Sequence, residues 1–258
     1  MKKRTKQGSE IQAVVKSLKI LGAFSHNKIK LSLTELSEIT GFYKSTILRQ
    51  TNTLIEYGYL LRNSENEKFQ LGPKLYILGQ IYAQNSNLVN VATPLINDLA
   101  SICNETVVLF VVDGFERLCL IRTQSSQFLR AVYEQGDMMP LHAGASGKVL
   151  LAYSDESLFE KLIAKAPLSR YGENTITNPD DLRKEFVEIQ KKGFALSRSE
   201  HAIGVAACAS PVFYKNGKLA GAIAINGPVE RFEKLDMDYL ISKLLETCEL
   251  VSLRIGTM

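Results

Sequence analysis

The sequence predicts an α+β protein: an N-terminal winged helix-turn-helix, a helical linker, and a C-terminal domain in which helices flank an antiparallel sheet. Three observations predict it. Residues 32–57 hold two helical stretches around a Gly41 turn, residues 59–71 read as a short hairpin, and beyond Glu105 strand-like runs alternate with amphipathic helices. The domains are drawn at 1–72, 73–90 and 91–258.

A chain of 258 residues is long enough for two domains with cores of their own, and 45% apolar with 22% charged residues is an ordinary globular balance. The longest apolar runs, such as Val107–Val112, are far too short to cross a membrane. No secretory leader is readable, because Lys2-Lys3-Arg4 leads into Lys16 and Lys19 and not into an apolar segment. The expected compartment is the cytoplasm, with no membrane partner. Cys103, Cys119, Cys208 and Cys248 form no CxxC pair, which fits buried thiols in a reducing environment. Charge is unevenly divided. Residues 1–72 carry 12 Lys and Arg against 6 acids, whereas 73–258 carry 19 against 21. The positive field belongs to the N-terminal segment.

Within that segment, Ile11, Val14, Val15, Leu18, Leu21 and Phe24 recur at helical spacing and predict a first amphipathic helix. Ser32 and Glu35 make an S-x-x-E capping box with Leu31 and Leu36 at the staple positions, so a second helix starts near Leu33. Gly41 stops it at Thr40. After Gly41-Phe42-Tyr43 comes a third helix, stopped by Gly58. Ile47, Leu54 and Ile55 form its inward stripe, while its first turns carry Lys44, Ser45, Thr46, Arg49 and Gln50. A helix dipole favours acids in the first turn, and this helix has none there. A cationic, hydroxyl-rich start suits phosphates and base edges in a DNA major groove. Arg49 is the expected guanine reader and Gln50 the expected adenine reader. The plainer reading of Ser45 and Thr46 is that they only start a surface helix. Tyr59–Arg62 and Lys68–Leu71 form the wing; Glu65 and Glu67 at its tip repel phosphates, which leaves Arg62 and Lys68 for the DNA backbone.

Pro73 suits a first helical position, and Leu75, Leu78 and Ile81 continue the linker helix to a break at Asn85-Ser86-Asn87, before a further helix from Leu88 to Cys103. Strands are expected at 106–113, 117–123, 128–133, 194–198, 206–214 and 219–226, and helices at 146–153, 155–164, 179–192 and 236–254. One segment, Leu141–Leu151, carries chemistry. Gly147-Lys148 resembles the end of a phosphate loop, but His142 and Val149 stand where that motif needs Gly and Ser or Thr, so ATP hydrolysis is not expected. A small-residue loop entering a helix leaves the amides of Ala145, Ser146 and Gly147 open to one carboxylate, or else packs closely on the sheet. His142, His201 and Cys208 match no metal spacing, and no G-x-S-x-G elbow is present. The histidines read as satisfied structural groups. No cofactor, metal or catalytic residue is expected.

Taken together, these segments resemble the IclR family of bacterial transcription regulators over nearly the whole chain. "LTELSEITGFYKSTILRQTNTLIEYGYL" and "FQLGPKLYILG" are similar to that family's DNA-binding half and linker start. "ETVVLFVVDG", "MPLHAGASGKVLLA", "KKGFALSRSEHAIGVAACASPVF" and "LAGAIAINGP" follow its effector-domain motifs in order. The resemblance implies a homodimer or dimer of dimers that binds pseudo-palindromic operator DNA, more often as a repressor. It also implies a GAF-like domain that takes a small metabolite, commonly a carboxylate. Carried over by motif, the apolar wall of that pocket is Phe128, Ala131, Met139 and Val205, and its polar and close-approach positions are Ala145, Ser146, Ser197, Ala207, Ala224 and Asn226. Family members frequently have an acid where Ser197 stands and a cysteine where Ala207 stands. Adjacent strand residues face opposite ways, so Cys208 cannot replace the latter. The expected effector is therefore a larger or more apolar acid than the smallest ketoacids.

Two other classes stay open at this point: a small-molecule enzyme whose basic segment serves assembly, and a ligand-binding protein whose winged helix mediates protein contacts. The enzyme lacks a convergent acid, base or nucleophile.

Overall fold

We describe a computed structural model of the chain over residues 10–123, 125, 127 and 133–256. It divides into two compact units at Gln84/Asn85.

The first unit contains α1 (Gln12–Leu21), α2 (Leu33–Thr40), α3 (Lys44–Glu56), β1 (Leu60–Arg62), β2 (Phe69–Leu71) and α4 (Pro73–Asn85). The capping box is real: the Ser32 hydroxyl accepts from the Glu35 amide at 3.2 Å, and the Glu35 carboxylate accepts from the Ser32 amide at 2.7 Å. Gly41 ends α2 in the left-handed region at φ 71, which a residue with a Cβ adopts only at a cost. β1 and β2 pair antiparallel, and Leu31 bridges to Phe69 beside them. Ile20, Leu31, Leu36, Ile47, Leu54, Leu60 and Phe69 close the core of this unit.

The first helix differs from its sequence pattern. Ile11, Val14 and Leu18 are 68%, 51% and 61% exposed, and the only fully buried residue of α1 is Ile20. The helix is turned so that Ser17 and Ile20, one turn apart, meet α3; Leu21 and Phe24 pack at the edge of the core, and Ile11, Val14 and Leu18 face away. α4 likewise buries none of its residues.

The second unit holds α5 (Asn87–Cys103), β3 (Thr106–Asp113), β4 (Glu116–Arg122), β5 (Met138–Pro140), α6 (Ala145–Tyr153), α7 (Glu156–Lys165), α8 (Pro179–Lys192), β6 (Ala195–Arg198), β7 (Val205–Phe213), β8 (Leu219–Pro228), α9 (Val229–Phe232) and α10 (Met237–Arg254). The strands form one antiparallel sheet in the order β5-β4-β3-β8-β7-β6. β5 and α9 are too short for a sequence pattern to announce, and the strand expected at 128–133 lies almost wholly outside the described residues.

Side-chain parity splits this unit into two cores. Val107, Leu109, Cys208, Ile223 and Ile225 face α5 and α10, whereas Val108, Phe110, Ala207, Ala209, Ala222 and Ala224 face α6 and α8. Four alanines on the second face let α6 approach the sheet closely. Cys208 and Ala207 therefore belong to different cores, as alternation along the strand requires.

Candidate functional site

In the first unit, α3 presents two unlike faces. Ile47, Gln50, Thr51 and Leu54 are buried, while Lys44, Ser45 and Arg49 are exposed and Thr46 is half-buried. No acid lies in its first turn. The Lys44 ammonium donates to the Thr34 hydroxyl at 2.8 Å, tying the start of α3 to α2. The Thr46 amide donates to the Tyr43 carbonyl at 2.9 Å, and the helix dipole makes this end positive in addition to its side chains. Lys16 and Lys19 of α1 each place Nζ 5.9 Å from the Phe42 ring in the turn before α3, cations that the reading of α3 alone had not included.

Gln50 is the correction. It is 7% exposed and its amide oxygen accepts from the Ser17 hydroxyl at 2.7 Å. Position 50 lies three residues after Ile47 and four before Leu54, so the inward stripe carries it toward α1 and away from any base edge. On the wing, Arg62 pairs with Glu67 and stacks 5.5 Å from the Phe69 ring, and Lys68 lies 3.8 Å from the Glu35 carboxylate. Both wing cations already have an acidic neighbour.

In the second unit, the N-terminus of α6 forms one wall of a buried pocket. Ala145, Ser146, Ser197, Val205, Ala207 and Asn226 line a small inner cavity of about 10 Å³. Met139 and Val205 line a connected outer cavity of about 210 Å³, which shares Tyr133, His201 and Ala202 with the inner one. Gly147 sits outside the lining: a Cβ there would run into the Leu141 carbonyl and the Arg117 guanidinium, so this position serves close packing. Ala224 is fully buried in the sheet core and lines neither cavity. Phe128 and Ala131 lie outside the described residues.

Two pocket residues, Arg117 and Tyr133, had no place in the sequence reading, and His201 had only a structural one. Arg117, on β4, is 2% exposed, lies 5.3 Å from the Phe110 ring, and donates through Nη1 to the Pro140 carbonyl and, at 2.7 Å, to the Ala143 carbonyl. Burial lowers its pKa to about 10, so the guanidinium stays charged at neutral pH. Tyr133 donates to Asn226 Oδ1 at 3.3 Å. His201 is pushed down to about 4 by burial, with Arg117 and His142 adding to it, and its Nδ1 is buried with no partner among the described residues. It is not the satisfied structural histidine that was expected. His142 is: its Nε2 lies 2.8 Å from the Ser169 carbonyl. The signal for Arg117 was available, because it shares strand parity with Cys119 and so points inward in a strand that alternates.

Lys148 settles the phosphate-loop likeness. Its ammonium is 2% exposed and donates to Glu200, Glu185 and the Leu196 carbonyl at 2.7, 2.8 and 2.9 Å. The other Glu200 oxygen accepts from the Gly144 amide at 3.1 Å. Burial raises the Glu200 pKa, and Lys148 works against that rise. A lysine so engaged holds the fold and has no donor to offer a nucleotide. Among the described residues, no group of His, Cys, Asp and Glu side chains is arranged to hold a metal ion, and no helix is long and apolar enough to cross a membrane.

Known proteins resemble this chain along nearly its whole length. The family model for the bacterial transcriptional regulator IclR C-terminal domain matches residues 80–253, and that for the IclR helix-turn-helix domain matches 13–64. The chain is 30% identical to the HTH-type transcriptional regulator KipR of Bacillus subtilis over 245 residues, covering 95% of this chain and 97% of the relative. It is 26% identical to the transcriptional repressor IclR of Escherichia coli, over 96% and 92% of the two chains. A solved IclR transcriptional regulator from Silicibacter sp. TM1040 superposes with a TM-score of 0.88 at 26% identity, covering 95% of this chain and 97% of that one.

Proposed function

Because the chain belongs to the IclR family of bacterial transcriptional regulators, we propose that it is a ligand-responsive repressor of a catabolic operon whose effector is a small organic acid. The observation that carries the DNA half of this reading is the exposed leading face of α3, with Lys44, Ser45 and Arg49 outward and no acid in the first turn. Lys44, Ser45 and Thr46 hold phosphates together with the first amides of the helix, and Arg49 reads a guanine edge. Arg62 and Lys68 add weaker backbone contacts, because each already answers to a carboxylate.

The regulator works in the cytoplasm as a homodimer or dimer of dimers. Two-fold symmetry sets two copies of α3 in successive major grooves, about 34 Å apart. The exposed apolar side chains of α1 and α4 offer a surface for a second copy, which an isolated chain would leave in water. Residues 1–72 form the DNA-binding domain and 91–258 the effector domain, and the helical segment 73–90 joins them. An effector changes operator affinity only by binding one arrangement of the domains better than another. Repression as the mode is supported by the Escherichia coli relative, a transcriptional repressor.

Selection of bound fragments from the source genome, followed by anisotropy titration at rising salt, tests the reading. The expected result is selective binding that weakens by about 10³-fold or more between 50 and 200 mM salt. Absence of any salt-sensitive, sequence-selective binding would overturn it in favour of a winged helix that mediates protein assembly.

A further inference from the structure

Arg117 is a buried cation that no carboxylate among the described residues holds. Its Nη1 is occupied by the Pro140 and Ala143 carbonyls, whereas Nη2 has only the Met139 sulfur at 3.9 Å, and Nε is buried with no partner among the described residues. Nε and Nη2 form the edge of a guanidinium that grips a carboxylate with two parallel hydrogen bonds. Glu200, the acid that acts on Arg117 electrostatically, is committed to Lys148 and the Gly144 amide. An unpaired buried charge is costly, so an edge left in this state calls for an anion from outside. Its surroundings suit one. A Cβ built on Gly144, which caps α6, would lie 3.5 Å from Arg117 Nη2 and 3.3 Å from the His201 Cβ, so the guanidinium, the unpartnered imidazole and the helix start converge.

We propose that Arg117 is the counter-charge that binds the effector's carboxylate side-on, with His201 as a neighbouring hydrogen-bond donor. This rests on the reading of the pocket as the effector site. The inner space takes about one water, so the acid sits across the boundary of the two cavities, its carboxylate on Arg117 and its carbon skeleton between Met139 and Val205. An outer cavity of about 210 Å³ lies below the usual range for ligand sites, roughly 300–1,000 Å³. With a cation at its inner end, it fits a small, fully ionised acid.

The test uses full-length protein and three acids, acetate, pyruvate and benzoate, each beside its uncharged amide. Thermal unfolding and the Arg117 Nε–H resonance are read on each titration, the resonance being assigned by its loss in Arg117→Lys. At least one acid should raise the melting temperature more than its amide does and move that resonance, and in Arg117→Met the acid and its amide should become equal. Acids and amides acting alike on the wild-type protein would overturn the proposal, and that comparison needs no variant to fold. So would an acid-specific shift that survives in Arg117→Met. Operator affinity is followed separately. An acid that moves the Arg117 resonance without changing operator binding leaves this inference standing and removes the regulatory reading; acid-induced operator release retained in Arg117→Met does the reverse.

Discussion

Lys148 Nζ and Glu200 Oε1 lie 2.7 Å apart with side chains only 2% and 8% exposed, and this pair joins α6 to the loop between β6 and β7. Removing one partner strands the other charge in a low dielectric. Lys148→Met should therefore cost about 3–5 kcal/mol of stability. The double variant Lys148→Met with Glu200→Gln should recover part of that loss, giving a coupling above about 1 kcal/mol in a double-mutant cycle by urea unfolding. Additive losses would mean that the two side chains stabilise the fold independently.

Arg49 and Gln50 are neighbours in sequence with opposite fates, and their variants should separate. Arg49→Ala is expected to weaken operator binding by about 1–3 kcal/mol with little effect on melting. Gln50→Ala should lower the melting temperature, because it opens a gap and removes the Ser17–Gln50 hydrogen bond between α1 and α3, while leaving base preference alone. Anisotropy on operator variants, together with calorimetry, measures both. A base preference that changes with Gln50 would restore it to the DNA contacts.

His201 gives the protein an acid sensitivity of defined sign. Its pKa is about 4 when folded against about 6.5 for a free histidine, so between those values the unfolded chain binds a proton that the folded one refuses. Stability is full above pH 6.5 and falls as pH drops toward 4. Between pH 7.5 and 5.0 this ring should account for about 2 kcal/mol. Urea titrations of the wild type and His201→Gln at both pH values check it: the variant's decline should be smaller by that amount, and equal declines would contradict it.

Gly147→Ala sets two effects against each other. Alanine favours a helix over glycine by about 1 kcal/mol. Against that, the added methyl meets a backbone carbonyl, Leu141 O, which cannot rotate aside, and the buried Arg117 guanidinium. Steric cost should win, with a net loss of about 1–3 kcal/mol in thermal unfolding. A more stable variant would show that the approach of α6 to the Leu141 loop has slack.

The helices and strands were legible because their signals are local. Ser32 with Glu35 placed the start of α2 and Gly41 its end, each by contacts within a few residues of chain. The order of motifs then gave the family. Strand parity was legible too, and it separated Cys208 from Ala207 before any coordinates did.

What sequence alone could not determine is which face of an element meets which neighbour. α1 has an apolar stripe through Ile11, Val14 and Leu18, yet packs through Ser17 and Ile20, because α3 offers Gln50 there. Arg117 is an unremarkable cation in the chain, and it becomes the charged end of a pocket only when β4, the loop before α6 and His201 are folded around it. Hydrophobic periodicity records how often a side chain turns inward, whereas burial, pairing and pKa depend on groups far away in sequence, such as Glu200 for Lys148. The sequence by itself determined the elements, their order and the family; the tertiary structure decided which buried charges are paired, as Lys148 is with Glu200, and that Arg117 has no carboxylate partner among the described residues.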